Sequence, residues 1–128
     1  MANSTFHASR FTNPLVIAGL DGATWGVLDP LLAAGRLPTL GRLIERGSKT
    51  TLRSTWPPIS AAAWITVITG LNPGRHGVFD FRNLDLGSYT SHNEELATVG
   101  SYSVPTLFDY LGWAGRAAIA YQVPLTYP

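Results

Sequence analysis

Two positions in this chain carry reactive side chains where an α/β fold gathers its chemistry. Asp21, in Leu20-Asp21-Gly22, puts a single carboxylate at the end of an apolar run. Ser60, in Pro57-Pro58-Ile59-Ser60-Ala61-Ala62-Ala63-Trp64, puts a single hydroxyl where a helix is expected to begin. In open α/β sheets ligands bind beyond the carboxyl ends of strands, so Asp21 stands where a hard or borderline divalent cation is taken up. Gly22 lets the backbone bend away there and leaves room for a ligand. The alternative reading makes Asp21 a turn or cap residue. At Ser60 the unpaired N–H groups of Ala61 and Ala62 and the helix dipole favour an anion, and a phosphate held there would face the hydroxyl. A serine becomes a useful nucleophile only when a base or a metal lowers its pKa. The alternative is an N-cap, worth roughly 1 kcal/mol.

Other polar and aromatic residues are weaker candidates. His76, in Asn72-Pro73-Gly74-Arg75-His76-Gly77, could ligate zinc or hold a loop in place, and a lone His more often binds a backbone carbonyl. Arg75 could grip phosphate oxygens in bidentate fashion, against a solvated surface role. Trp56 and Trp64 flank Ser60, as an apolar wall or as core, and core is the better reading for Trp64 beside Val67 and Ile68. Thr66 and Thr69 are expected to make local helix contacts. His7 and His92 lie in segments with little pattern.

The elements that must position these groups alternate along the chain. Pro14 to Leu20 is a continuous apolar run with β-branched residues, which predicts a strand buried on both faces. Trp25, Val27, Leu28, Leu31 and Leu32 follow at helical spacing, with Thr24 placed to cap them and Pro30 either ending one short helix or opening another. Gly35 reads as the stop. Leu40, Leu43 and Ile44 mark a second helix closed by Gly47. Lys49 to Thr55 alternates and holds three Thr, which predicts a strand broken by Pro57-Pro58. Ser60 to Thr69 reads as a helix closed by Gly70, and Leu71 to Gly77 as a loop. Phe79 to Tyr102 is a polar excursion or a short hairpin. Val104-Pro105-Thr106 opens a helix through Leu107, Phe108, Leu111 and Trp113 that Gly115 ends, and Arg116 to Val123 is a third buried strand.

Strands alternating with such helices predict an α/β fold with a mostly parallel sheet. Three strands leave wide faces and edges uncovered, which suggests a fragment of a larger domain. The end at Pro128, soon after the run Ala117 to Tyr121, points the same way. Residues 1–12 read as a flexible polar tail, and 13–128 as the N-terminal part of one larger domain.

Composition excludes several classes. The 128 residues are 45% hydrophobic and 13% charged, which favours a globular protein over a disordered one. A net charge of +1 with nine scattered basic residues gives no nucleic-acid or acidic-membrane patch. The absence of cysteine excludes disulfides, thiolate metal sites and cysteine nucleophiles. No apolar run approaches the ~18–20 residues that span a bilayer, and no signal-peptide core follows Arg10, so the cytoplasm is the default expectation. Nothing in the chain sets an oligomeric state.

The chain resembles the N-terminal part of the type I phosphodiesterase/nucleotide pyrophosphatase family of the alkaline phosphatase superfamily. The likeness runs through Val16-Ile17-Ala18-Gly19-Leu20-Asp21-Gly22-Ala23-Thr24-Trp25, then Gly35-Arg36-Leu37-Pro38-Thr39-Leu40 and Leu43-Ile44-Glu45-Arg46-Gly47. It continues in Pro57-Pro58-Ile59-Ser60, Ala63-Trp64, Thr69-Gly70 and Asn72-Pro73-Gly74-Arg75-His76-Gly77-Val78-Phe79-Asp80-Phe81. Pro105-Thr106-Leu107-Phe108-Asp109 and Val123-Pro124-Leu125-Thr126-Tyr127-Pro128 complete it. The order and spacing of these pieces, more than any one of them, make it specific.

The resemblance implies an alkaline-phosphatase-like sheet flanked by helices, with Asp21 as a metal ligand and Ser60 as both nucleophile and metal ligand. It implies metal-dependent hydrolysis of phosphodiester or pyrophosphate bonds, in nucleotides or similar small phosphoesters, through a covalent phospho-Ser intermediate. Two Zn2+ ions are expected in the complete enzyme, and no other cofactor-binding residue is assigned. The family's remaining Asp and His ligands lie well downstream of its nucleophile, beyond this chain, so the 128 residues alone are expected to have little activity. Some relatives carry an Asn three residues after the nucleophile, where this chain has Ala63, and a Pro beside it, where Ala61 and Ala62 stand. A sulfatase would need Arg where Trp64 stands. Two other classes remain in view. One is a non-catalytic folding or interaction module of the same ancestry. The other is a receiver-like domain, against which the missing strands and the lack of a Lys in the last loop argue.

Overall fold

The computed structural model describes residues 14–83 and 95–127. The expected tail, 1–12, and the middle of the expected excursion, 84–94, lie outside the described residues. The described residues fall into two compact units, one ending at Lys49 and the other beginning at Thr50.

The first unit contains α1 (Trp25–Ala33) and α2 (Pro38–Arg46), which pack against each other. Thr24 takes the N-cap position of α1 with its carbonyl accepting from Val27 and Leu28, but its side chain makes no cap bond. Pro30 neither ends nor opens the helix. It sits inside α1, where it contributes no N–H to the ladder. Gly35, at φ +68°, closes α1: its N–H reaches the Leu32 carbonyl at 2.9 Å and the Arg36 N–H reaches Leu31 at 2.8 Å. This is a Schellman motif, and the left-handed step it needs is the reason for glycine. Gly41 of α2 faces α1, and a Cβ there would make an ordinary contact with Leu32 Cδ2 at 3.8 Å. Lys49 pairs with Asp29 and lies 4.5 Å from the centroid of the Trp25 ring. No residue of either helix is buried.

The second unit holds the core. It contains α3 (Ser60–Thr69), α4 (Pro73–His76), a 3-10 turn (Val99–Ser101) and α5 (Leu107–Trp113). Ala61, Ile65 and Ile68 on one face of α3 meet Val78, Ala97 and Tyr102, with Ile59, Val104, Phe108, Val123 and Leu125 packed around them. The Tyr102 hydroxyl donates to the Leu125 carbonyl at 3.1 Å, and this ties the last described segment to the core. At the far end of α5 the same device recurs as after α1. Gly115 is at φ +66°, its N–H bonds Gly112, and the Arg116 N–H bonds Leu111.

The loop expected over Leu71–Gly77 holds the short helix α4, and three expected strands also differ. The runs expected as strands at Pro14–Leu20, Lys49–Thr55 and Arg116–Val123 form no ladder, and the described residues contain no strand. Most of their side chains are exposed, Val16 at 83%. A strand buried on both faces needs a neighbour to take its backbone N–H and C=O groups and a helix to cover each face. None of these runs has that neighbour among the described residues. The single bridge is antiparallel, Arg82 to Leu96, framed by Asn83 N–H to Glu95 at 3.0 Å and Ala97 N–H to Phe81 at 2.8 Å. It joins the two described ends of the 79–102 segment, Phe81–Asn83 and Glu95–Ala97.

Candidate active site

Ser60 is the first residue of α3. The N-cap is Ile59, in extended conformation at φ −109° and ψ 137°. The hydroxyl therefore does not sit at the capping position that its residue type favours. Helix α3 starts here because the chain bends at Trp56-Pro57 and each proline keeps the residue before it out of helical conformation, and Ala61, Ala62 and Ala63 then propagate a helix at low conformational cost. Thr55 Oγ1 donates to the Pro57 carbonyl at 2.8 Å and pins that entry. The first intrahelical bond runs from Ala63 N–H to Ile59 at 2.9 Å. The N–H groups of Ala61 and Ala62 precede it and have no acceptor within the helix. Both side chains are fully buried while Ser60 is half-buried, so the first turn presents its hydroxyl at the rim of the core.

Asp21 lies in the first unit, on an exposed turn. The Ala23 N–H reaches the Leu20 carbonyl at 3.3 Å across Asp21 and Gly22, and Gly22 is at φ +68°. Open space surrounds the position a Gly22 Cβ would take, so the glycine serves the turn's left-handed step rather than a close approach. Asp21 is therefore a turn residue after an extended apolar run, three residues before the α1 cap position.

His76 is only 3% exposed. Its Nδ1 accepts the Val78 N–H at 3.1 Å, and its Nε2 lies 3.0 Å from Thr66 Oγ1. Burial lowers its pKa below the ordinary imidazole value, and a hydrogen bond with the Ala62 backbone offsets part of that. With both nitrogens engaged, the ring holds structure together and offers no lone pair to a metal. Thr66 thus reaches beyond its own helix, contrary to the local contact expected of it, whereas Thr69 does bond locally, Oγ1 to the Ile65 carbonyl at 2.6 Å. Only the pairing of Thr66 with His76, ten residues on, reveals this link, and no local sequence signal marks it.

The flanking tryptophans also differ from expectation. Trp64 is half-buried and outside the core, because the helix turns Ala61, Ile65 and Ile68 inward instead. Trp56 is 87% exposed. It borders a hollow of about 480 Å³ with Arg53, Ser54, Thr55, Thr66, Asn72, Pro73 and Gly74. A second hollow, of about 720 Å³, is lined by Gly77, Asn83, Glu95, Leu96, Thr98, Gly100 and Ser101. Ser60 lines neither. Arg75 is exposed on α4, as a solvated residue would be.

Among the described residues no three of His, Cys, Asp and Glu gather where they could hold a metal ion. The described side chains do not by themselves enclose one, since a stable site takes four or more donors. No helix of the described residues is long and apolar enough to cross a membrane. Comparison with curated proteins and with solved structures gives no match. Comparison with family models is decisive: the type I phosphodiesterase / nucleotide pyrophosphatase model matches residues 15–128, almost the whole of the chain, and the protein belongs to that family.

Proposed function

We propose that this chain carries the nucleophile and one metal ligand of a hydrolase that cleaves phosphodiester or pyrophosphate bonds in small phosphoesters. Family membership supports a phosphodiesterase/pyrophosphatase-type hydrolase in general terms. The observation that carries the finer reading is Ser60 at the first position of a ten-residue helix, beside two backbone N–H groups without intrahelical acceptors.

In this reading the Ser60 oxygen attacks phosphorus, a P–O bond to the leaving group breaks, and the leaving oxygen departs with a proton. Water then cleaves the phospho-Ser60 bond and restores the hydroxyl. The positive end of the α3 dipole, at the turn that bears Ser60, favours the phosphoryl oxygens throughout. Asp21 and Ser60 are proposed as two donors to a divalent metal pair, zinc by family resemblance, with further ligands from outside the described residues. Such a pair, when bound, supplies positive charge to the attacking and leaving oxygens. The runs Pro14–Leu20, Lys49–Thr55 and Arg116–Val123 are proposed as strands of the family's mostly parallel sheet. The apolar composition of Pro14–Leu20 and the β-branched Thr residues of Lys49–Thr55 support this.

In a full-length version with all its metal ligands, Ser60→Ala is expected to lower nitrophenyl phosphodiester hydrolysis by on the order of a thousandfold or more, and to abolish labelling of the protein by substrate phosphate. A Ser60→Ala protein with wild-type turnover would sink the nucleophile assignment. Asp21→Ala should lose activity that excess metal partly restores.

A further inference from the structure

Helix α3 carries no ionisable side chain from Ser60 to Thr69, so nothing on it can anchor the helix by charge. One imidazole does the anchoring. Ala62 and Thr66 are four residues apart and share a face of α3. His76 meets this face through the Thr66 hydroxyl at 3.0 Å, close to the Ala62 backbone, while its other nitrogen receives the Val78 N–H at 3.1 Å. This face of α3 and the chain leaving α4 are thereby held by a single ring. Gly77, at φ +83°, aims the Val78 N–H back at that ring, and open space around its Cβ position shows that only conformation demands glycine there.

The geometry fixes the proton. A backbone N–H can only donate, so Nδ1 must be the bare, accepting nitrogen. In the neutral ring the proton is then on Nε2, which donates toward α3. A second proton on Nδ1 would set donor against donor at Val78 and leave a buried N–H without an acceptor.

We propose that His76, in the Nε2–H form, is a positioning residue that latches α3 to the segment after α4, and that one proton on Nδ1 opens the latch. No carboxylate stands ready to compensate that charge among the described residues. Arg75 and Asp80, on either side in sequence, are exposed, and α3 has no charged group. From the elements that share the core, the Tyr102 hydroxyl is committed to Leu125, and the Asp109 carboxylate on α5 to Thr106. Burial of the ring acts in the same direction as the hydrogen bonds, by disfavouring the charged form. The sign follows: the latch is fully closed above the ordinary imidazole pKa and is lost as pH falls through the lower value of the folded state. The latch stands on the hydrogen bonds alone. Its consequence for catalysis, that acid loosens the turn bearing Ser60, rests on the function proposed above.

The test is imidazole nitrogen NMR on the full chain, with His76→Gln used to assign the ring signals. The latch predicts a pyridine-like Nδ1 and a pyrrole-like Nε2 at about pH 7.5, and a titration midpoint below ~6.5. Amide protection at Val78 and Thr66, corrected for intrinsic exchange, should fall about tenfold across that titration. His76→Gln keeps a donor toward α3 but gives no proton to gain, so its α3 protection should be flat over the same range. A proton found on Nδ1, a midpoint at or above the ordinary value, or α3 protection indifferent to the titration overturns the latch. None of these readouts uses substrate, so they stand apart from the hydrolysis assay on Ser60→Ala.

Discussion

Helix α3 and the run Pro14–Leu20 are both uncharged and mostly apolar, yet they end in opposite conditions. Four residues of α3 are buried, whereas every residue of the run is exposed. The difference is where the backbone finds its partners. A helix bonds its own N–H and C=O groups, so one apolar face is enough to seat it on a small core. An extended run has no internal bonds and is stabilised only when neighbours pair its edges and helices cover both faces.

Substitutions that discriminate between the two regions sharpen this contrast. The largest effect is expected at Ile65, fully buried on α3: Ile65→Ala should cost about 3 kcal/mol in urea unfolding, through lost burial and a residual cavity. A loss under ~1 kcal/mol would mean that the core around α3 is looser than its packing implies.

A smaller effect is expected at the start of α5. Thr106 and Asp109 form a reciprocal capping box, with the Asp109 N–H donating to Thr106 Oγ1 at 3.3 Å and the Thr106 N–H to Asp109 Oδ2 at 2.7 Å. Thr106→Ala should cost about 1 kcal/mol. The bonds from the Thr106 side chain and then its backbone hold the Asp109 carboxyl below the usual carboxylate range. The capping contribution is therefore complete above the unfolded carboxylate pKa and lost as pH falls through the folded one. Thermal unfolding at about pH 7 and about pH 3 should show a shallower acid slope in Thr106→Ala than in the wild type.

The smallest effect is expected at Val16. Val16→Thr removes apolar character from a side chain that is already in solvent, so unfolding should change by less than ~0.5 kcal/mol. A loss comparable to that of Ile65→Ala would show that Pro14–Leu20 is covered in solution, and the contrast between the two regions would collapse.

Much of the helical half was legible because its signals are local. Pro57-Pro58 and Gly70 bracket Ser60–Thr69, and the bounds agree with the expectation. Gly35, Gly47 and Gly115 mark stops because a left-handed or extended step after a helix depends on the residue in place. Pro30 misled because the helix tolerates one missing bond in its interior. Trp64 misled because residue size favours burial, while the face of α3 is chosen by Val78, Ala97 and Tyr102 from far along the chain. The link from Thr66 to His76 was hidden for the same reason.

The sequence by itself determined the family, the bounds of α3, the glycine stops of α1, α2 and α5, and the identities of Asp21 and Ser60 as the groups worth testing. These depend on residue order and on interactions within a few positions along the chain. Only the tertiary structure decided that Ser60 is a first-turn residue rather than a cap, that His76 is a buried ring with both nitrogens taken, and that α3 seats on a core drawn from three later segments. Burial and pairing between distant residues depend on what packs against them, and composition and spacing carry no measure of that.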